Sequence, residues 1–274
     1  MRVMWSLLVS VALAYACVLA LVYLFQSRLI YFPEVGRAVA ATPQAYGLRF
    51  EPVTITTEDN ERLSAWWVPV ENAAGAVLFF HGNAGNISHR IDYLEMFNRL
   101  RYSTLIVDYR GYGQSTGSPG EEGTYRDARA SWDYLRHARA AREQDIVVVG
   151  ESLGGAVAAW LAARERPRAV VLASTFTSVP DLGAQVYPFL PVRLLSRIRY
   201  DTLAAVKAIK SPLLVAHSRE DDIIPYAHAR ALYDAANEPK QFLELAGGHN
   251  DGFLFMRKEW IAELEAFLAR AAAK

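Results

Sequence analysis

The chain has 274 residues, 52% of them hydrophobic, and its 29 Lys and Arg balance 29 Asp and Glu for a formal net charge of zero. This length suits one large domain or two small ones, and no Pro-, Gly- or Ser-rich linker divides two cores. With the charges dispersed there is no basic stripe to track a phosphate backbone, which argues against nucleic acid as a partner. A lone cysteine, Cys17, leaves the body of the chain without a disulfide or a thiolate metal site.

From Val3 to Phe25 no residue is charged. At 1.5 Å per residue that run spans roughly 34 Å, enough to cross a hydrocarbon core. A cleaved signal peptide has a shorter apolar stretch ending in small residues, whereas this one continues through Val18 to Phe25, so residues 1–28 are expected to be an uncleaved transmembrane anchor. Cys17 lacks a branched aliphatic residue three positions upstream, which counts against a lipoprotein site. Only Arg2 precedes the run, while Arg28 and Arg37 follow it, and Tyr23, Tyr31 and Phe32 fit an interfacial aromatic belt. A short N-terminus before an anchor commonly leaves the bulk of a chain translocated, so residues 29–274 are expected on the periplasmic or external side.

Beyond the anchor, apolar runs and helical patterns alternate as they do in a mostly parallel sheet covered on both faces, an α/β architecture. Eight strands are expected near Val53–Thr57, Ser64–Val70, Ala76–Phe80, Thr104–Asp108, Ile146–Val149, Ala169–Ala173, Leu213–His217 and Gln241–Leu245. The first two read as an antiparallel edge joined by the polar turn Glu58-Asp59-Asn60-Glu61. Helices are expected at His89–Leu100, Thr124–Ala141, Leu153–Ala163, Ala227–Ala236 and Lys258–Ala272. From about Thr175 to Tyr200, Pro180, Pro188 and Pro191 interrupt the alternation, and the segment reads as a small cap above the carboxyl ends of the strands. Its Tyr187, Phe189 and Leu190 are candidate lining for a substrate pocket.

Gly150-Glu151-Ser152-Leu153-Gly154 follows the apolar run Ile146–Val149 and precedes a helical pattern. That is a serine on a strand-to-helix elbow, where flanking glycines permit a turn too sharp for side chains. A serine hydroxyl is a weak nucleophile unless a base lies in hydrogen-bond reach and a carboxylate orients that base. Of the two histidines after the seventh strand, His228 falls within a helical pattern and His249 in the loop Ala246-Gly247-Gly248-His249-Asn250-Asp251, so His249 is the better base. Glu220, Asp221 and Asp222 follow the seventh strand, and spacing alone does not choose among them. Acyl transfer also needs two main-chain N–H groups facing the developing oxyanion. Leu153 and the loop His81-Gly82-Asn83-Ala84-Gly85-Asn86 supply them, with Asn83 the donor expected in that loop, and Asn86 or Ser88 is expected to cap the next helix.

These motifs, with Asp108-Tyr109-Arg110-Gly111-Tyr112-Gly113-Gln114-Ser115 and Tyr31-Phe32-Pro33, resemble the membrane-anchored serine hydrolases among the alpha/beta hydrolase domain-containing proteins. The resemblance runs from about Leu29 to the C-terminus. It implies the alpha/beta-hydrolase fold and an acid at the fourth position after the histidine of a His-Gly-x-x-Asp motif, here Asp221, although Ser218 stands in place of the glycine. It also implies that Asp108 to Ser115 borders the pocket, with Arg110 in a structural role, and that the substrates are acyl esters or thioesters, lipid-like or protein-linked.

The reading is therefore a membrane-tethered serine ester or thioester hydrolase using Ser152, His249 and Asp221, with no cofactor. A peptidase or amidase on the same triad and a non-catalytic hydrolase-like scaffold are the alternatives. The six histidines show no His-x-x-x-His spacing, which argues against a metal enzyme. The expected partners are a small-molecule or lipid acyl substrate and the membrane itself, and no feature of the sequence indicates an oligomeric state.

Overall fold

The structure, a computed structural model, describes residues 1–273. It begins with α1 (Arg2–Ile30), followed by β1 (Glu51–Thr56), β2 (Arg62–Val68), β3 (Gly75–Phe80), α2 (Ile91–Arg99), β4 (Tyr102–Val107) and α3 (Glu121–Asp133). The second half comprises β5 (Ile146–Glu151), α4 (Leu153–Ala162), β6 (Ala169–Ala173), α5 (Val179–Val186), α6 (Val192–Leu195) and α7 (Thr202–Ala208). It closes with β7 (Leu213–Ser218), α8 (Tyr226–Ala235), β8 (Lys240–Leu245) and α9 (Lys258–Ala272).

All eight expected strands are present, in one sheet of order β1-β2-β4-β3-β5-β6-β7-β8. β1 pairs antiparallel with β2, and β2 with β4, while every other neighbouring pair is parallel. The central strands read as continuous apolar runs because both their faces are covered. In β3, Ala76, Leu78 and Phe80 face one core, with α3, α4 and α8, and Val77 and Phe79 face the other, with α2 and α9. That is the two-residue period of a strand acting on two cores at once. α4 is buried on nearly all sides, and where it packs most closely its residues are small: Gly155 sits where a Cβ would meet the side chain of Thr175.

Several boundaries differ from the expectation for local reasons. β2 stops at Val68, since Pro69 has no N–H for the ladder. The expected helix from His89 begins instead as a 3₁₀ turn, Ile87–Arg90, capped by Asn86. The third helix starts earlier, at Glu121, with Glu121 and Glu122 in its first turn, where acidic residues suit the helix dipole. Its C-terminal part loosens into a π turn over Tyr134–Ala138. The cap holds two helices, α5 and α6, and α7 follows it. The Ser178 side chain caps α5 by accepting from Asp181 N–H, and Asp201 caps α7 by accepting from Ala204 N–H.

Candidate active site

Ser152 alone reverses the chain between β5 and α4. Its φ of 54° and ψ of −119° lie where residues with a Cβ are rarely found. The bend closes because a Cβ on Gly150 would strike the Gly154 carbonyl, and a Cβ on Gly154 the Phe80 carbonyl. Neighbouring groups fix the strained residue. Ser152 N–H donates to the Ala173 carbonyl at 2.9 Å, and its own carbonyl accepts from Thr175 Oγ1 at 2.7 Å and Gly155 N–H at 3.0 Å.

The Ser152 hydroxyl lies 3.0 Å from Nε2 of His249, and Nδ1 of His249 lies 2.8 Å from Oδ2 of Asp221. Both contacts are satisfied when Nδ1–H donates to the carboxylate and Nε2 accepts from the serine. The Asp221 side chain is fully buried. Burial works to raise its carboxyl, but the hydrogen bonds from His249 and from the N–H groups of Ile224 and Ile223 outweigh burial and hold it below the usual range. Beneath it, His217 donates from Nε2 to the Ile224 carbonyl at 2.8 Å, and burial pushes this imidazole below its ordinary pKa.

Glu220 and Asp222 do not contact the imidazole, and they are more than solvated neighbours. Glu220 accepts from Gly247 N–H at 2.8 Å, and Asp222 accepts from His249 N–H at 2.9 Å. Three consecutive carboxylates thus grip one loop, two by its backbone and one by its histidine ring. His228, set aside on the sequence, lies in α8 with Nδ1 2.8 Å from Thr177 Oγ1.

The main-chain N–H groups of Asn83 and Leu153 donate to no protein acceptor among the described residues. The loop that carries Asn83 is held from two sides. Tyr112 OH donates to the Asn83 carbonyl and Tyr109 OH to the His81 carbonyl, both at 2.9 Å. On the other side the segment after α1 crosses the loop. Phe32 N–H donates to the Asn83 carbonyl at 3.1 Å, Asn83 Nδ2 to the Ile30 carbonyl at 2.9 Å, and Gly85 N–H to the Val35 carbonyl at 3.0 Å. Asn86 caps the following turn, as expected, through Oδ1, and its Nδ2 reaches the carbonyls of Gly36, Arg37 and Ala38. This crossing segment was not foreseen, because bonds between residues about 50 apart leave no periodic signal.

Arg110 is structural: buried, it donates to Asp127 at 2.9 Å and to both oxygens of Asp59 at 2.7 and 3.0 Å. The three cap residues stand differently from the expectation. Tyr187 and Phe189 are exposed, Leu190 is half-buried, and their hydrogen bonds and ring contacts run to one another, to Gly183 and to α1. None of these bonds or ring contacts involves Ser152 or His249.

A family model described as alpha/beta hydrolase fold matches residues 75–210. Protein Rv2307c of Mycobacterium tuberculosis, itself uncharacterized, is 37% identical over 265 residues, covering 96% of this chain and 94% of its own. The alpha/beta hydrolase domain-containing protein WAV2 of Arabidopsis thaliana is 34% identical over 260 residues, covering 86% of this chain and 84% of its own. Among solved structures, the Pyrococcus furiosus esterase Pf2001 superposes with a TM-score of 0.71 at 24% identity, covering 88% of this chain and 98% of that one, a likeness of fold. With a triad-like cluster at the elbow of such a sheet and relatives matching over most of their length, the chain belongs to the alpha/beta hydrolase domain-containing proteins.

Proposed function

We propose that this chain is a membrane-tethered serine hydrolase of carboxylic esters or thioesters, working through an acyl-enzyme. The observation that carries the reading is the unbroken relay from Ser152 Oγ to His249 Nε2 and from His249 Nδ1 to Asp221, at 3.0 and 2.8 Å. Ser152 Oγ attacks the acyl carbonyl carbon as its proton passes to Nε2. The buried Asp221 carboxylate stabilises the imidazolium, and the N–H groups of Asn83 and Leu153 receive the negative charge on the carbonyl oxygen. As the tetrahedral adduct collapses, Nε2 returns the proton to the departing alcohol or thiol oxygen or sulfur. A water then attacks the acyl-serine, giving its proton to Nε2, and release of the acid restores the serine. No cofactor enters any step.

The tether is α1, whose mean hydropathy reaches 2.5 over an 18-residue window with none of that window buried. Its C-terminal end is part of the body: Gln26 is buried, and Ile30 and Phe32 bond the loop of Asn83, which supports an anchor that stays attached. We place residues 1–28 in the membrane and 29–274 outside the cytoplasm. An alkaline phosphatase fusion at the C-terminus should be active; activity only of a cytoplasmic reporter there would reverse the orientation.

The hydrolase assignment is tested with Ser152→Ala in a panel of acyl esters and thioesters of increasing length. Turnover should fall by at least about 10⁴-fold, since a triad acts as a unit. A folded variant that keeps wild-type turnover would remove the serine from the mechanism.

A further inference from the structure

The cap presents the run Val186-Tyr187-Pro188-Phe189-Leu190-Pro191-Val192-Arg193-Leu194-Leu195, ten residues with one charge. Instead of closing on the core, it leaves Phe189 68% and Leu194 87% exposed. An apolar surface of this kind usually marks an interaction site. Where it sits indicates what covers it.

The segment is fastened along α1. At one end Gln26 Nε2 donates to the Leu195 carbonyl at 3.1 Å, Arg197 N–H donates to Gln26 Oε1 at 2.7 Å, and the Arg197 guanidinium donates to the Tyr23 carbonyl at 3.0 Å. At the other end Tyr15 OH donates to the Phe189 carbonyl at 2.8 Å. From Gln26 back to Tyr15 is eleven residues, about 16 Å along a helix. Tyr15 lies at the middle of the uncharged run Val3–Phe25, so the bond to Phe189 carries the cap tip well into the span of α1 that reads as membrane-crossing.

The chemistry of the segment suits that depth. Backbone in hydrocarbon must satisfy its polar groups internally. Pro188 and Pro191 have no N–H to satisfy, and Tyr187, Leu190, Val192, Leu194 and Leu195 donate within the cap, leaving the N–H groups of Phe189 and Arg193 without a protein acceptor among the described residues. The two carbonyls of the segment that meet α1, those of Phe189 and Leu195, receive the Tyr15 hydroxyl and the Gln26 amide. Arg193, the sole charge, pairs with Asp181 at 3.1 Å.

We propose that Val186–Leu195 is a second membrane-inserted element, its apolar side chains seated in the acyl-chain region of the leaflet around the C-terminal half of α1. This rests on the anchor assigned above to α1. α5 leads from this tip back to Ser178, three residues past Thr175, whose hydroxyl bonds the Ser152 carbonyl. The length of α5 is about 12 Å.

The test places an environment-sensitive NBD probe on single cysteines of the full-length protein in phosphatidylcholine vesicles carrying mid-chain doxyl lipid. The native Cys17 reports the anchor, Phe189→Cys with Cys17→Ser reports the cap, and Asp234→Cys with Cys17→Ser reports an exposed point on the catalytic body. The expected result is blue-shifted emission and doxyl quenching at position 189 comparable to position 17, with neither at 234. Quenching at 17 but a water-like signal at 189 would overturn the inserted cap and leave the anchor intact. A water-like signal at 17 would overturn both, and Ser152-dependent turnover, measured separately, is untouched by either outcome.

Discussion

Asp221 shows how one side chain links stability to chemistry. It is buried, yet it is held ionised by three donors, the His249 ring and the N–H groups of Ile223 and Ile224, while Glu220 and Asp222 tether the loop that carries the ring. Its carboxyl lies below the ordinary value of 3.8. A carboxyl depressed by folding contributes stability that is complete above its unfolded pKa and is lost as pH falls through the folded one. In denaturant titrations the stability gap between wild type and Asp221→Asn should therefore shrink as pH drops below about 4. A gap that widens with acid would contradict the ionised pair. At neutral pH the same variant should lose about 10⁴-fold in turnover, because an amide no longer fixes the imidazole tautomer.

At the scale of elements, the sheet positions the serine and two outside segments position the loop His81–Asn86 that the proposed mechanism uses. β5 and α4 meet at a bend that only Gly150 and Gly154 allow, while Phe32 to Ala38 on one side and Tyr109 and Tyr112 on the other hold His81–Asn86. The proposed donor at position 83 is main-chain N–H, which every substitution except proline preserves. Asn83→Ala removes only the bond to the Ile30 carbonyl, and its kcat/KM should fall by less than the roughly 10²-fold that marks loss of an oxyanion donor. A deficit of 10³-fold or more would reassign that donor to the side chain.

Across the whole molecule, the strands and the elbow were legible in the sequence because their signals are local: continuous apolar runs for buried parallel strands, and glycines two residues either side of a serine. Ser152 and His249 could be singled out from their loops, and Asp221 only through resemblance, since three adjacent carboxylates share one spacing. Their division of labour depends on which backbone N–H each one meets across the gap to the last loop. The crossing segment after α1 and the outward set of Tyr187 and Phe189 were illegible for the same reason, as both are fixed by partners far along the chain. α7 carried a readable start in Asp201, but seven residues at Thr202–Ala208 give too short a period to stand out.

The proposed mechanism requires Ser152 to be the reactive group of the folded protein, and reaction of the full-length chain with a fluorophosphonate, read by peptide mass spectrometry, tests this directly. One adduct is expected, on the peptide containing Ser152, formed as esterase activity disappears and absent from Ser152→Ala. A folded protein that takes up no label at Ser152, or that loses activity through a label elsewhere, would contradict that mechanism.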